Sequence, residues 1–342
     1  MRVLLTGHAG YIGAVMTPLL IEAGHEVVGL DSGLFEGCDF GAYAPGIKLL
    51  RRELRDVETE DLVGLDAVIH LAAISNDPLG DLNPDCTYDI NHRASVRLAE
   101  RARAAGVPRY LYSSSCSVYG AASPDAVLDE SASFSPVTPY GKSKVLVEED
   151  VAKLADARFS PTFMRNATVY GVSPRLRGDL VVNNLVGWAH TTGRVFIKSD
   201  GTPWRPLVHV EDVCRAFLAV LAAPRERVHN AAFNVGRDGE NYRIRDVADL
   251  VKQALPGSVI EYAEGAGPDP RCYRVDFGKI ARALPDFAPT WTVAAGVAEL
   301  RDAFRDIGLT QADLEGDRYL RIRRIGRLQN EGRLDASLRW VR

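Results

Sequence analysis

The chain has 342 residues, of which 46% are apolar and 25% charged, and its formal net charge is −4 at pH 7. That length allows one large or two modest domains with a substantial core. The acidic balance gives no electrostatic case for nucleic acid or an anionic membrane, and no apolar run approaches the ~18 residues of a spanning helix. Cys38, Cys86, Cys116, Cys214 and Cys272 are an odd and scattered set. They have neither metal-like spacing nor a disulfide framework, so no metal is expected. The first residues run straight into a strand pattern with no visible signal peptide, and a reducing cytoplasm is the expected location.

Val3-Leu4-Leu5-Thr6 predicts a short buried strand, and it ends in Gly7-His8-Ala9-Gly10-Tyr11-Ile12-Gly13 before a helical pattern at Val15, Leu19 and Leu20. A glycine turn between a strand and a helix is the context of a dinucleotide site. Gly7 permits the tight turn, Gly10 lets the backbone approach a pyrophosphate, and Gly13 lets helix and strand pack closely. The helix N-terminus then faces the phosphates. His8, inside this turn, is expected to be exposed beside the ligand. The second strand, Glu26 to Leu30, ends at Asp31. An acidic residue there suits the ribose hydroxyls of NAD and repels the 2′-phosphate of NADP; a turn aspartate is the plainer alternative.

Ser32 to Tyr43 reads as a loop over the ligand, with Phe35 and Phe40 in it. Further strands are expected at Lys48 to Leu50, Ala67 to Ala73, Arg109 to Tyr112 and Thr162 to Arg165. Helices are expected at Tyr88 to Ala104 and from Tyr140 to about Ala155. This alternation predicts an α/β fold, a doubly wound parallel sheet. Residues 1–172 are expected to form the nucleotide-binding unit, with segments near 207–222 and 230–255 returning to it. Residues 173–206 and 256–342 are expected to make mainly a smaller unit that covers the cleft, plus the tail. The tail carries Arg318, Arg321, Arg323, Arg324 and Arg327, which read as a solvated or packing amphipathic face.

Tyr140 and Lys144 stand one helical turn apart in Pro139-Tyr140-Gly141-Lys142-Ser143-Lys144, so phenol and ammonium share a face. A tyrosine alone is a poor base near neutrality, and a neighbouring ammonium favours its phenolate. The pair therefore suits proton transfer with an alcohol, although the same spacing also fits a surface pair on an amphipathic helix. In a doubly wound sheet the glycine turn, the serine run Ser113-Ser114-Ser115 and the Tyr140 segment all fall at the carboxyl ends of strands, in one cleft.

Taken together, Thr6-Gly7-x-x-Gly10-x-x-Gly13, Asp31, Asp56-Val57, His70-Leu71-Ala72-Ala73, Ser113-Ser114-Ser115, Val118-Tyr119-Gly120 and Pro139 to Lys144 resemble the extended short-chain dehydrogenase/reductase family, in its nucleotide-sugar epimerase/dehydratase branch. The resemblance spans about residues 1 to 280 and implies a Rossmann domain binding NAD, a smaller C-terminal α/β domain binding a nucleoside-diphosphate sugar, and a homodimer built on the Tyr88 and Tyr140 helices. It implies that Tyr140 is the acid/base, that Lys144 lowers its pKa and bonds the nicotinamide ribose, and that Ser115 bonds the reacting hydroxyl. Cofactor contacts are implied for Gly7, Ala9, Gly10, Tyr11, Ile12, Gly13, Asp31, Asp56, Val57, Leu71, Ala72, Ala73 and Ser113 as well as Tyr140 and Lys144. Substrate contacts are implied for Ser115, Cys116, Ser117, Tyr140, Asn166, Asn184, Arg205 and Arg271. Trp204-Arg205-Pro206-Leu207 departs from the family's usual Arg-Asp-aromatic segment, and the arginine-rich tail lies outside the resemblance.

The family's dehydratases place Asp and Glu after the serine, as acid and base for loss of water; here Cys116 and Ser117 stand instead. The implied reaction is therefore 4-epimerisation through a transient 4-keto sugar. A ketoreductase or dehydrogenase that releases its cofactor, and an epimerase acting at C3 or C5 through the Cys116 thiol, remain as alternatives. A small buried cysteine is the plainer reading of Cys116.

Overall fold

The computed structural model describes residues 1–341 except 45, 76–79, 82, 122, 124, 125, 268 and 270. Its main sheet has seven strands: β1 (Arg2–Thr6), β2 (Glu26–Leu30), β3 (Lys48–Leu50), β4 (Ala67–His70), β5 (Arg109–Ser115), β6 (Ser160–Asn166) and β7 (Ala231–Val235). Every pairing in it is parallel, and the order is β7-β6-β5-β4-β1-β2-β3. The order reverses between β1 and β4, which opens a crevice at their carboxyl ends, where ligands of this fold bind.

Alternate residues of one strand feed two cores, as the period of two requires. Val3 and Leu5 pack with Met16, Phe217 and Val220 on one face. Leu4 and Val68 pack with Leu98, Ala102, Val147 and Val151 on the other. The helices concerned are α1 (Tyr11–Glu22), α2 (Ala94–Ala104), α3 (Pro139–Ala152) and, further along the chain, α5 (Val210–Ala222), with α4 (Val181–Thr192) between them in sequence. The apolar stripes of α2 and α3 are thus buried against the sheet of their own chain.

A third core gathers Leu185, Val186, Val195, Val247, Val251, Val297, Leu300 and Phe304. Helices α4, α6 (Ile244–Ala254) and α7 (Val293–Ile307) supply most of it. The apolar face of α6 therefore packs here rather than on the sheet, where the sequence reading placed the segment up to 255. The chain then returns: Ile325 and Leu328 of α8 (Arg321–Asn330), with Leu334 and Leu338, pack on Ile74, Cys86 and Ile90 beside the main sheet.

Two elements differ from the sequence pattern. The strand expected to run to Ala73 ends at His70. The helix expected from Tyr88 begins earlier, as a short α-helix at Pro84–Tyr88, and is interrupted by a π-helical turn at Asp89–Arg93. Inside that turn the buried Asn91 amide bonds both the N–H and the carbonyl of Ile74, at 2.7 and 2.9 Å. This tertiary demand has no counterpart in local periodicity.

Candidate active site

A cavity of about 810 Å³ runs along the crevice, from Asp31 and Phe35 past the glycine turn to Tyr140 and on to Arg205 and Arg271. At the turn, Gly7 adopts φ +71°, and a Cβ there would lie 2.9 Å from the Ala72 nitrogen. A Cβ on Gly13 would lie 2.6 Å from His8 Cα. Side chains are excluded at both positions, so backbone lines the floor. Helix α1 begins at Gly10 with no side-chain cap, which leaves its first N–H groups facing the cavity. Asp31 closes this end, accepting from the N–H groups of Ala9 (3.2 Å) and Gly33 (2.8 Å). A bare backbone cradle, an uncapped helix start and an acidic residue at the next strand end fit the pyrophosphate and ribose of a dinucleotide.

His8 is buried rather than exposed. Its ring lies beneath Gly29, where a Cβ would stand 2.7 Å away, and burial lowers its pKa. His70 is held between the Thr6 (2.7 Å) and Ser95 (2.8 Å) hydroxyls, and burial pushes it down to about 3, so it stays neutral.

Helix α3 carries the next group. Thr138 caps it by accepting from the Gly141 N–H at 3.1 Å, and Pro139 occupies its first turn, a start that fixes where Tyr140 points. One turn on, the buried Lys144 ammonium donates to the Ser113 carbonyl at 2.6 Å. It sits 4.6 Å from the Tyr112 ring centre and 5.5 Å from that of Tyr140. Burial pulls the Lys144 ammonium down to about 7, with the Glu148 carboxylate opposing the shift. Glu148 is a further turn along the same face. It receives Arg165 through Nη2 at 2.7 Å and Nε at 3.1 Å, and also the Ser114 hydroxyl. Nothing in the motifs singled Glu148 out, although its spacing from Tyr140 and Lys144 carries it.

Ser115, at the end of β5, accepts from the N–H (3.1 Å) and hydroxyl (2.8 Å) of Ser117. Its own proton is thus available to a ligand oxygen. Ser115, Ser117, Tyr140 and Lys144 all line the cavity. Asn166 lines it too, donating to Ser113 Oγ at 3.0 Å while its buried Oδ1 has no partner among the described residues.

At the far end, Asn184 lines the cavity, whereas Asn183 is buried and bonded to the Gly171 N–H. Arg205 and Arg271 share the Asp269 carboxylate, at 2.9 and 2.6 Å. The planar guanidinium forks of these two arginines suit a phosphate. Arg177 was not foreseen. Buried on the cavity wall, it pairs with Asp179 at 2.8 Å and bonds Ser75 Oγ at 2.9 Å.

Other expected residues lie off this wall. The Cys116 thiol is buried, donates to the Arg165 carbonyl at 3.1 Å, and burial pushes its pKa up. Val57 is in the core with Leu54 and Leu62. Asp56 turns away to pair with Arg339, at 2.8 and 3.0 Å. Glu53 and Leu54 line the cavity instead, because a 3₁₀ turn at Leu54–Asp56 rotates the chain between them.

A seven-stranded parallel sheet with a glycine cradle, an acidic strand end and a Tyr-Lys-Ser cluster in one crevice defines a Rossmann-type enzyme that binds a dinucleotide. The chain belongs to the NAD dependent epimerase/dehydratase family, whose model matches residues 3–236, and NAD is its cofactor. It is 30% identical over 332 residues to a UDP-glucose 4-epimerase of Mycolicibacterium smegmatis, covering 90% of this chain and 99% of that one. Among solved structures, MoeE5 in complex with UDP-glucose and NAD superposes with a TM-score of 0.77 at 29% identity, covering 90% of this chain and all of that one. A UDP-glucose 4-epimerase from Thermotoga maritima, solved with UDP-glucose, gives a TM-score of 0.79 at 25% identity with the same coverage.

Proposed function

We propose that this protein is a nucleotide-sugar epimerase that inverts C4 of the sugar through a transient 4-keto sugar. The observation that carries the reading is the convergence of Tyr140, the buried Lys144 and Ser115 on one wall of a cavity whose floor is the glycine cradle. NAD bound along that cradle supplies a reversible hydride acceptor. Tyr140, as the phenolate, would take the proton of the sugar hydroxyl on oxidation and, as the phenol, return it to the ketone oxygen on reduction. Lys144 holds positive charge beside the phenolate, and Ser115 donates to the reacting oxygen. Asn184, Arg205 and Arg271 would anchor the diphosphate while the sugar turns. The nucleotide-sugar relatives support this assignment, and UDP-sugars are the first substrates to try.

Two features favour epimerisation over its rivals. The positions after Ser115 bring no carboxylate to the wall, so the acid and base that dehydration needs are missing there. The Cys116 thiol is buried off the wall and held away from thiolate, so proton abstraction at C3 or C5 by sulfur has no support.

The test is incubation with a panel of UDP-sugars in deuterated water, followed by NMR. Inversion at C4 with no solvent deuterium is expected. Deuterium at C3 or C5, or net consumption of NAD(P)H from bulk solution, would overturn the proposal.

A further inference from the structure

Arg321 stands outside the matched family region and outside every contact described so far. It opens α8, and it is 5% exposed on the wall of the same cavity. Its guanidinium lies 3.9 Å from the centre of the Phe35 ring and donates through Nη2 to the Arg175 carbonyl at 3.2 Å. Among the described residues its buried Nη1 has no partner and no carboxylate pairs with it.

The neighbouring charges make this costly. Arg175 pairs with Asp39 at 2.8 Å, and Arg177 with Asp179 at 2.8 Å, so these two carboxylates are engaged. Burial and the Arg177 charge together pull the Arg321 guanidinium down to about 10. A buried cation without a counter-charge is strongly unfavourable, and an anion on its free edge relieves it. Arg321 lines the same cavity as the uncapped start of α1, itself an anion site. Phe35 belongs to the loop after Asp31, which places Arg321 in the dinucleotide half of the crevice, away from Arg205 and Arg271. The tail that delivers it is tied to that half as well: Arg339 pairs with Asp56, Arg55 donates to the Ser337 carbonyl at 2.9 Å, and the Trp340 indole donates to the Ser32 carbonyl at 2.7 Å.

We propose that Arg321, carried in by the C-terminal segment, is a ligand of the cofactor's pyrophosphate, so that the tail completes the dinucleotide site begun by the glycine cradle. The inference rests on the dinucleotide site and not on which sugar is turned over.

The test compares the full chain, stripped of cofactor, with Arg321→Ala and Arg321→Lys by calorimetric titration of NAD, ADP-ribose, adenosine and UDP. For Arg321→Ala the expected result is an affinity for NAD and ADP-ribose weaker by about tenfold or more, the worth of a charge-assisted hydrogen bond. Adenosine and UDP should bind as in the wild type, and the unliganded melting temperature should be unchanged or higher, since an unpaired buried charge has gone. NAD should also raise the melting temperature of the variant less than that of the wild type. Arg321→Lys keeps the charge and the stem and loses the fork, so its loss should fall between the two. ADP-ribose affinity within twofold of wild type in both variants would overturn the proposal. So would an equal loss for adenosine, which would mean wall packing, or a loss confined to UDP, which would assign Arg321 to the substrate's diphosphate. None of these readouts depends on turnover, so a failed epimerase assay leaves the result interpretable.

Discussion

In the proposed mechanism Lys144 acts through its charge, and the Glu148 carboxylate opposes the burial that would remove it. Replacing Glu148 with Gln leaves the hydrogen-bonding outline nearly intact and removes the charge. Arg165, whose side chain is 6% exposed, then keeps its Tyr119 hydroxyl and Glu130 carbonyl partners but has no counter-ion. Breaking a buried pair from one side costs ~3–5 kcal/mol. At about 2 °C per kcal/mol for a chain of this size, the melting temperature should fall by roughly 6–10 °C in a calorimetric scan. A double variant, Glu148→Leu with Arg165→Met, removes both charges and should recover more than half of that loss. The same single change acts on catalysis. The Glu148 carboxylate raises the Lys144 pKa against burial, so without it the ammonium deprotonates at lower pH, and the alkaline limb of kcat should move towards acid. A loss below about 1 kcal/mol, or a double variant no more stable than the single, would refute the account of the pair. An unmoved alkaline limb would refute its link to Lys144.

Tyr140→Phe should lower kcat by roughly 10²–10⁴-fold while NAD affinity stays within a few-fold, as measured by turnover and by cofactor titration. Asp31→Asn should weaken NAD and improve NADP relative to it, because the carboxylate that repels a 2′-phosphate is gone; competitive titration of both cofactors checks this. Cys116→Ala should leave turnover within about twofold, since the thiol is off the cavity wall and held protonated by burial. Lys144 gives a pH signature in stability. Its pKa is lowered from 10.5 to about 7 in the folded chain, so between those values the unfolded chain binds more protons and wild-type stability rises with pH. Lys144→Met should flatten that rise in urea unfolding measured from pH 7 to 10.

Some of this site was legible because the chemistry is local in sequence. Gly7, Gly10 and Gly13 sit within one turn, Asp31 ends the next strand, and Tyr140 and Lys144 are one helical turn apart, so spacing alone brings each set together. The buried runs of β1, β2 and β4 were legible for the same reason: a sheet covered on both faces needs apolar residues at every position. What escaped was set by tertiary contact. Asp56 and Val57 missed the cavity because a single 3₁₀ turn rotates them away and presents Glu53 and Leu54. Arg177 is on the wall because Asp179 and Ser75 fix it there, and no spacing rule names those partners.

The tail arginines show the same divide within one short helix. Arg327 pairs with Asp317 at 2.8 Å, and Arg324 donates to the Glu36 carbonyl at 2.7 Å and lies 3.7 Å from the same Asp317. Arg321 differs by position. Helix α8 buries Arg321, Ile325 and Leu328, the spacing of an apolar stripe, so Arg321 stands where the helix would otherwise carry an aliphatic side chain. Five arginines read as one basic face only while the stripe is ignored. Once Ile325 and Leu328 set the phase, Arg321 falls on their buried side, and a cation there calls for an anion. Among the described residues the nearby carboxylates Asp39 and Asp179 already hold other arginines. The demand therefore passes to whatever occupies the crevice, and the family's NAD carries a pyrophosphate.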